Sequence, residues 1–268
     1  MGMRMCRLLG VASTLPVSVA DAVGETVLTD FLALTKIHGD GWGVASAVGA
    51  DDTPRVDVSA DSALDDTRFG TAVKEPARGS VVHLRWATNG LAVQPENSHP
   101  FAADGVAMAH NGSIKPMAAL DALLEPRVVS TLRGTTDSER YFALIRQHRR
   151  SAPDLVESVR RAVAELRQMY PEASLNALIL GEGQLIAVHA HARSVLLDED
   201  IEEISATDLP VEHLEDYFSL RVARPDDATV VIGSTGFGDL DWSPLPPESV
   251  ASVALDDLSM TVVPIMAD

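Results

Sequence analysis

Short apolar runs of strand length recur along the chain, at 8–12, 42–48, 80–84, 106–110, 175–180, 185–189, 229–233 and 260–265, and nothing else in the sequence limits the fold as tightly. Runs this short, flanked by polar or turn-forming residues, read as buried strands. Helical patterns lie between batches of them. Segments 17–34 and 114–124 are helix candidates, and 137–149 opens on acidic and closes on basic residues, as the helix dipole favours. The clearest helix is 153–169, where Leu155, Val159, Ala162, Val163, Leu166 and Met169 form one apolar stripe. Strands in batches, without regular β-α-β alternation, predict α+β layers in place of a doubly wound parallel sheet.

A chain of 268 residues can bury a substantial core as one large domain or two small ones. No repeat or low-complexity tract divides it, so a single domain is expected, with the Asp/Pro-rich stretch 51–66 and the acidic stretch 198–216 as loops. The lone cysteine excludes an intramolecular disulfide. No run approaches the ~18 apolar residues of a membrane span. The N-terminus lacks a secretory pattern, so a cytoplasmic protein without a membrane partner is expected. A formal net charge of −18 would repel a phosphate backbone, which argues against a nucleic-acid partner.

The lone cysteine, Cys6, directly follows Met5. Initiation at Met5, or removal of residues 1–5 as a leader, makes Cys6 the first residue and leaves 6–268 as the domain. A thiol then shares its residue with a free α-amine that titrates at roughly 7.7–8.0, so the nucleophile carries its own base. N-terminal nucleophile hydrolases use this arrangement.

Polar clusters interrupt the apolar pattern near the strand-like runs: His38-Gly-Asp-Gly-Trp-Gly, His83-Leu-Arg-Trp-Ala-Thr, Asn97-Ser-His-Pro-Phe, His110-Asn-Gly-Ser and Thr135-Thr-Asp-Ser-Glu. Taken singly, Gly-Asp-Gly and Asn-Gly are ordinary turn sequences, and Thr-Asp-Ser-Glu is an ordinary helix start. In this order, beginning from Cys6, the set resembles the glutaminase domain of class II glutamine amidotransferases, most closely a stand-alone subfamily opening on Met-Cys-x-Leu-Leu-Gly. The later Val231-Ile-Gly-Ser-Thr and Trp242-Ser-Pro-Leu-Pro-Pro segments are similar to that subfamily too, so the resemblance covers nearly the whole chain.

The resemblance implies a fold and a set of roles. The fold is the N-terminal nucleophile αββα sandwich, two antiparallel sheets between helix layers. Cys6 attacks the side-chain amide carbon of glutamine or a γ-glutamyl compound, forming a thioester and releasing ammonia or an amine. The Asn111 side chain and the Gly112 backbone N–H stabilise the oxyanion. Arg85 clasps the substrate α-carboxylate, assisted by Thr88 and the Trp86 backbone, and Asp137 takes the α-ammonium. No cofactor is implied.

Two other readings remain beside glutamine hydrolysis: a hydrolase of a specific γ-glutamyl small molecule, and a glutaminase-fold subunit that is non-catalytic or depends on an acceptor enzyme in trans. No synthase motif follows Glu139. His38, His83, His99 and His110 lack helical metal-ligand spacing or partner cysteines, so no metal site is expected. His189 and His191 share one face of a strand, and Trp42 and Trp86 read as packing walls flanking the pocket. The segment 39–43 lacks the Lys-Ser/Thr ending of a phosphate loop. Arg7 follows the nucleophile where many biosynthetic amidotransferases have glycine, a difference that bears on substrate entry.

Overall fold

The computed structural model describes residues 6–48, 52–86, 94–191, 193–207, 209 and 217–266. One sheet contains β1 (Arg7–Val17), β2 (Trp42–Ala47), β3 (Pro54–Ser59), β4 (Ala77–Leu84), β9 (Arg221–Asp226), β10 (Thr229–Gly233) and β11 (Ser243–Pro244), in the order β11-β9-β10-β1-β4-β2-β3. The other contains β5 (Phe101–Ala103), β6 (Val106–Asn111), β7 (Asn176–Gly181), β8 (Gln184–His189), β12 (Ser249–Ala254) and β13 (Met260–Pro264), in the order β13-β12-β8-β7-β6-β5. Every pairing in both sheets is antiparallel. Strand alternation sorts the side chains into layers. Leu8, Ala12, Ala45 and Val81 face Ala107, Ala109, Leu178, Leu185 and Ala251 between the sheets.

The outward faces of both sheets carry helices. Leu9, Val11, Val44 and Val82 pack beneath α1 (Val19–Ala33) and α2 (Thr67–Ala72), through Val23, Val27, Phe31 and Phe69. Met108, Ile179, Ile186 and Val250 pack beneath α5 (Asp137–Arg149) and α6 (Leu155–Met169), through Phe142, Leu144, Val159 and Leu166. The order is therefore helix, sheet, sheet, helix, the αββα sandwich that the resemblance implies. The α6 stripe is the one expected from the sequence; Asp154 caps the helix by accepting from Glu157 N, and Met169 at its end is exposed.

Several expectations need correction. Segment 114–124 is not one helix: α3 (Met117–Asp121) starts only after Pro116, because the residue before a proline is disfavoured in α conformation, and α4 (Pro126–Val129) is a separate turn. Stretch 51–66 contains β3, whose alternating exposure fits an edge strand pairing with β2 alone. Stretch 198–216 begins with α7 (Asp198–Ser205), whose Asp200 is buried despite its charge. The remaining acidic residues 212–216 lie outside the described residues, as do residues 1–5. The interior strand β12 escapes the pattern because its alternating serines and alanines make a weak apolar run.

Candidate active site

The polar clusters converge where strand ends of the two sheets meet. Cys6 immediately precedes β1 and is buried. Its sulfur lies 4.0 Å from the carbonyl oxygen of Trp86, two residues beyond β4. Burial pushes the thiol up to about 11, opposed by the Trp86 contact and by the fields of Arg85 and Arg7, while Asp137 adds to the rise. Arg85 is 4% exposed and its charge is disfavoured by burial, with Cys6 and Asp40 opposing. Its backbone is fixed on both sides: Arg85 N–H donates to the Gly41 carbonyl and Asp40 N–H to the Arg85 carbonyl. The His38–Gly43 motif thus leads into β2 and acts as a brace for the arginine.

Asn111 ends β6 and is fully buried, yet neither its Nδ2 nor its Oδ1 has a hydrogen-bond partner among the described residues. Leaving buried polar groups unpaired costs about 1–3 kcal/mol each, so such an amide points to a ligand-binding role. Gly112 follows, packed so closely on the Ser174 carbonyl that a Cβ would sit 1.9 Å from that oxygen. Only glycine permits this approach.

Asp137 opens α5, and its carboxylate accepts the Ile114 N–H. The Thr135–Glu139 motif has structural duties as well. Thr136 caps α5 by accepting from Glu139 N. The Glu139 carboxylate accepts the N–H groups of Arg133 and Gly134 at 2.7 and 2.9 Å. Asn97 reaches into the same loop, accepting Thr135 N–H at 2.9 Å.

Four of the predicted site segments, those of Cys6, Arg85 with Trp86, Asn111 with Gly112, and Asp137, therefore assemble at one place. Thr88 lies outside the described residues. Trp42 is not a wall of this site: it belongs to the core under α1 and α2, packs edge-on against Phe69 and donates from Nε1 to Asp66. Trp86 instead meets the ring of His38 edge-on. Arg7 is buried, with its guanidinium 4.1 Å from the centre of the Tyr217 ring and Nη1 donating to the Tyr217 carbonyl. A cation thus occupies the position next to the nucleophile.

Sequence reasoning missed the histidine pair behind Cys6. His99 Nδ1 lies 2.8 Å from His83 Nε2, and burial holds both rings far below the ordinary histidine range, His83 at about 3. The Cys6 sulfur and one nitrogen of each ring fall within 4.8 Å of one another, a donor set that could hold a soft metal despite the absence of any spacing signal. One feature opposes a divalent ion: it would stand beside the charges of Arg85 and Arg7. His189 and His191 do share one side, with their Nε2 atoms 2.8 Å apart.

Comparison with known proteins gives the family and the fold. Residues 5–262 match the family model "Glutamine amidotransferases class-II". The chain belongs to that family. It is 40% identical over 96 residues, 35% of this chain and 15% of the relative, to a glutamine--fructose-6-phosphate aminotransferase of Acidithiobacillus ferridurans. A second such enzyme, from Helicobacter pylori, is 28% identical over 156 residues, 51% of this chain and 26% of the relative. The chain thus spans well under two thirds of the length of these enzymes. In fold it is similar to a glutamine aminotransferase class-II domain protein from Silicibacter pomeroyi, with TM-score 0.65 at 16% identity, covering 98% of this chain and 100% of that one. It is likewise similar to the glutamine phosphoribosylpyrophosphate amidotransferase of Bacillus subtilis, with TM-score 0.63 at 14% identity, covering 98% of this chain and 50% of that one.

Among the described residues, no helix is long and apolar enough to cross a membrane.

Proposed function

We propose that this chain hydrolyses the side-chain amide of glutamine or of a γ-glutamyl compound, through a thioester on Cys6. The observation that carries the reading is the fully buried Asn111 amide, without partners among the described residues, beside a glycine that tolerates no side chain.

In the proposed reaction the Cys6 sulfur attacks the amide carbon, and the α-amine of a Cys6 that begins the chain takes the thiol proton. The carbonyl π-electrons move to oxygen, where Asn111 Nδ2 and Gly112 N–H stabilise the charge; such donors are typically worth about 10²–10³ in rate. Collapse expels ammonia or an amine carrying the proton handed on by the α-amine. Water then attacks the thioester and regenerates Cys6 with release of glutamate. Arg85 holds the substrate α-carboxylate with its planar fork, and Asp137 the α-ammonium. While residues 1–5 remain attached, the Cys6 nitrogen is an amide and supplies no base.

Ammonia release from glutamine by protein beginning at Cys6 tests this reading. Steady turnover abolished by Cys6→Ala supports it. Turnover of γ-glutamyl amides with larger amine groups, but not of glutamine, assigns the site to a specific γ-glutamyl small molecule. Turnover only with an added acceptor enzyme assigns it to a partner-dependent amidotransferase, and none under any condition contradicts it.

A further inference from the structure

His110 is a fully buried titratable residue that the proposed reaction does not use, and both of its ring nitrogens are engaged. Nε2 lies 3.0 Å from the Ser174 carbonyl oxygen and Nδ1 2.9 Å from the Ser138 hydroxyl. A carbonyl can only accept, so Nε2 carries a proton. Burial lowers the affinity of the ring for a second proton, with Asp137 opposing, so the ring is neutral and Nδ1 is an acceptor. The Ser138 hydroxyl therefore donates to His110.

Each end of this bridge reaches a different part of the site. Ser174 Oγ donates to the Asn111 carbonyl at 2.9 Å. Because the peptide is planar and trans, holding that carbonyl also sets the direction of the Gly112 N–H, which points the opposite way. The same Ser174 carbonyl that accepts from His110 is the surface on which Gly112 packs. At the other end, Ser138 neighbours Asp137 in the first turn of α5, so its bond to His110 pins that turn to β6. Since the hydroxyl proton is spent on His110, Asp137 Oδ1 receives only a 3.5 Å approach from Ser138, while Oδ2 accepts Ile114 N–H. Oδ1 is left to accept from a substrate ammonium.

Building on the proposed function, we propose that His110, fixed as the neutral Nε2–H tautomer, is a positioning residue that holds the Asn111–Gly112 oxyanion donors and the Asp137 ammonium clamp in one frame, through Ser174 on one side and Ser138 on the other.

The two nitrogens can be tested separately, because an asparagine amide overlays the Nδ1 side of an imidazole and a glutamine amide reaches the Nε2 side. His110→Asn retains an acceptor for Ser138 and loses the bond to Ser174; His110→Gln does the reverse. With glutamine as substrate and protein beginning at Cys6, His110→Asn and Ser174→Ala should lower kcat about tenfold or more and change KM less than about twofold, as for donors misaligned in the transition state. His110→Gln and Ser138→Ala should raise KM about fivefold or more with a smaller change in kcat. If the His110 variants fail to fold, Ser138→Ala decides the matter by its KM, since it removes the hydroxyl that donates to His110, whereas Ser174→Ala leaves the carbonyl that accepts from His110 in place. Equal changes in kcat and KM across the variants, or values within twofold of the unaltered protein, overturn the inference. Retention of turnover by Cys6→Ala would instead overturn the reading on which it rests.

Discussion

The Cys6 sulfur faces the carbonyl oxygen of Trp86 at 4.0 Å, so the proposed nucleophile sits against the residue that follows the proposed carboxylate clamp, Arg85. Burial holds this thiol protonated, with its pKa raised to about 11. In protein retaining residues 1–5, alkylation of Cys6 should therefore climb only well above pH 9. In protein beginning at Cys6, the new α-ammonium stabilises the thiolate, and the profile should move to lower pH. Iodoacetamide labelling rates against pH for the two forms check this, and coincident profiles would contradict it.

Arg85 and Asn111 should fail differently when altered. Arg85→Lys retains charge and loses the two-pronged geometry, so KM for glutamine should rise about tenfold or more. Asn111→Ala should lower kcat by about 10²–10³ with a smaller effect on KM. Steady-state kinetics separate the two, and purely KM effects for both would reverse the assignment of roles.

Gly43 on β2 should tolerate no side chain. A Cβ there would sit 2.0 Å from the His99 carbonyl oxygen, and backbone cannot swing aside as a side chain can. Gly43→Ala should destabilise the fold by about 1–3 kcal/mol and disturb the His83–His99 pair behind Cys6. Urea unfolding measures the loss; an unchanged midpoint would show that the His99–Pro100 loop gives way freely.

Five histidines should make the fold sensitive to mild acid. Burial lowers His83, His99, His110, His189 and His191 below their unfolded value near 6.5. Below that value the unfolded chain binds protons that the native rings refuse, so stability is complete above about pH 6.5 and falls as the pH drops toward the native values. A fully buried ring such as His83, His99 or His110 contributes up to about 1.4 kcal/mol per pH unit, and the half-buried His191 less. Urea midpoints between pH 6.5 and 5.5, above most carboxylate titration, should fall steeply. A flat profile would mean that the rings are charged in the native state.

How much of this was legible in the sequence depended on the kind of signal. The apolar runs of β1, β4, β7 and β10 stood out because those strands are buried on both faces, and α6 because one face is apolar. Strand β12 was hidden because small residues suffice between β8 and β13. In the candidate site, Arg85, Asn111 and Asp137 stood out because each belongs to a short polar string that breaks an apolar pattern, and Cys6 because it is the lone cysteine and directly follows Met5. Ser174 and the stacking of Arg7 on Tyr217 were not: their partners are 63 and 210 residues away, and only the strand register brings them together.

In the proposed reaction, Cys6, as the first residue, carries the acyl intermediate. Acid-quenched mass spectrometry after rapid mixing with glutamine tests it most directly. A transient gain of one γ-glutamyl group is expected on the peptide that begins at Cys6, prolonged when the thioester is hydrolysed more slowly, and absent in Cys6→Ala. Ammonia release with the acyl group on another residue, or with the same kinetics in Cys6→Ala, would contradict it.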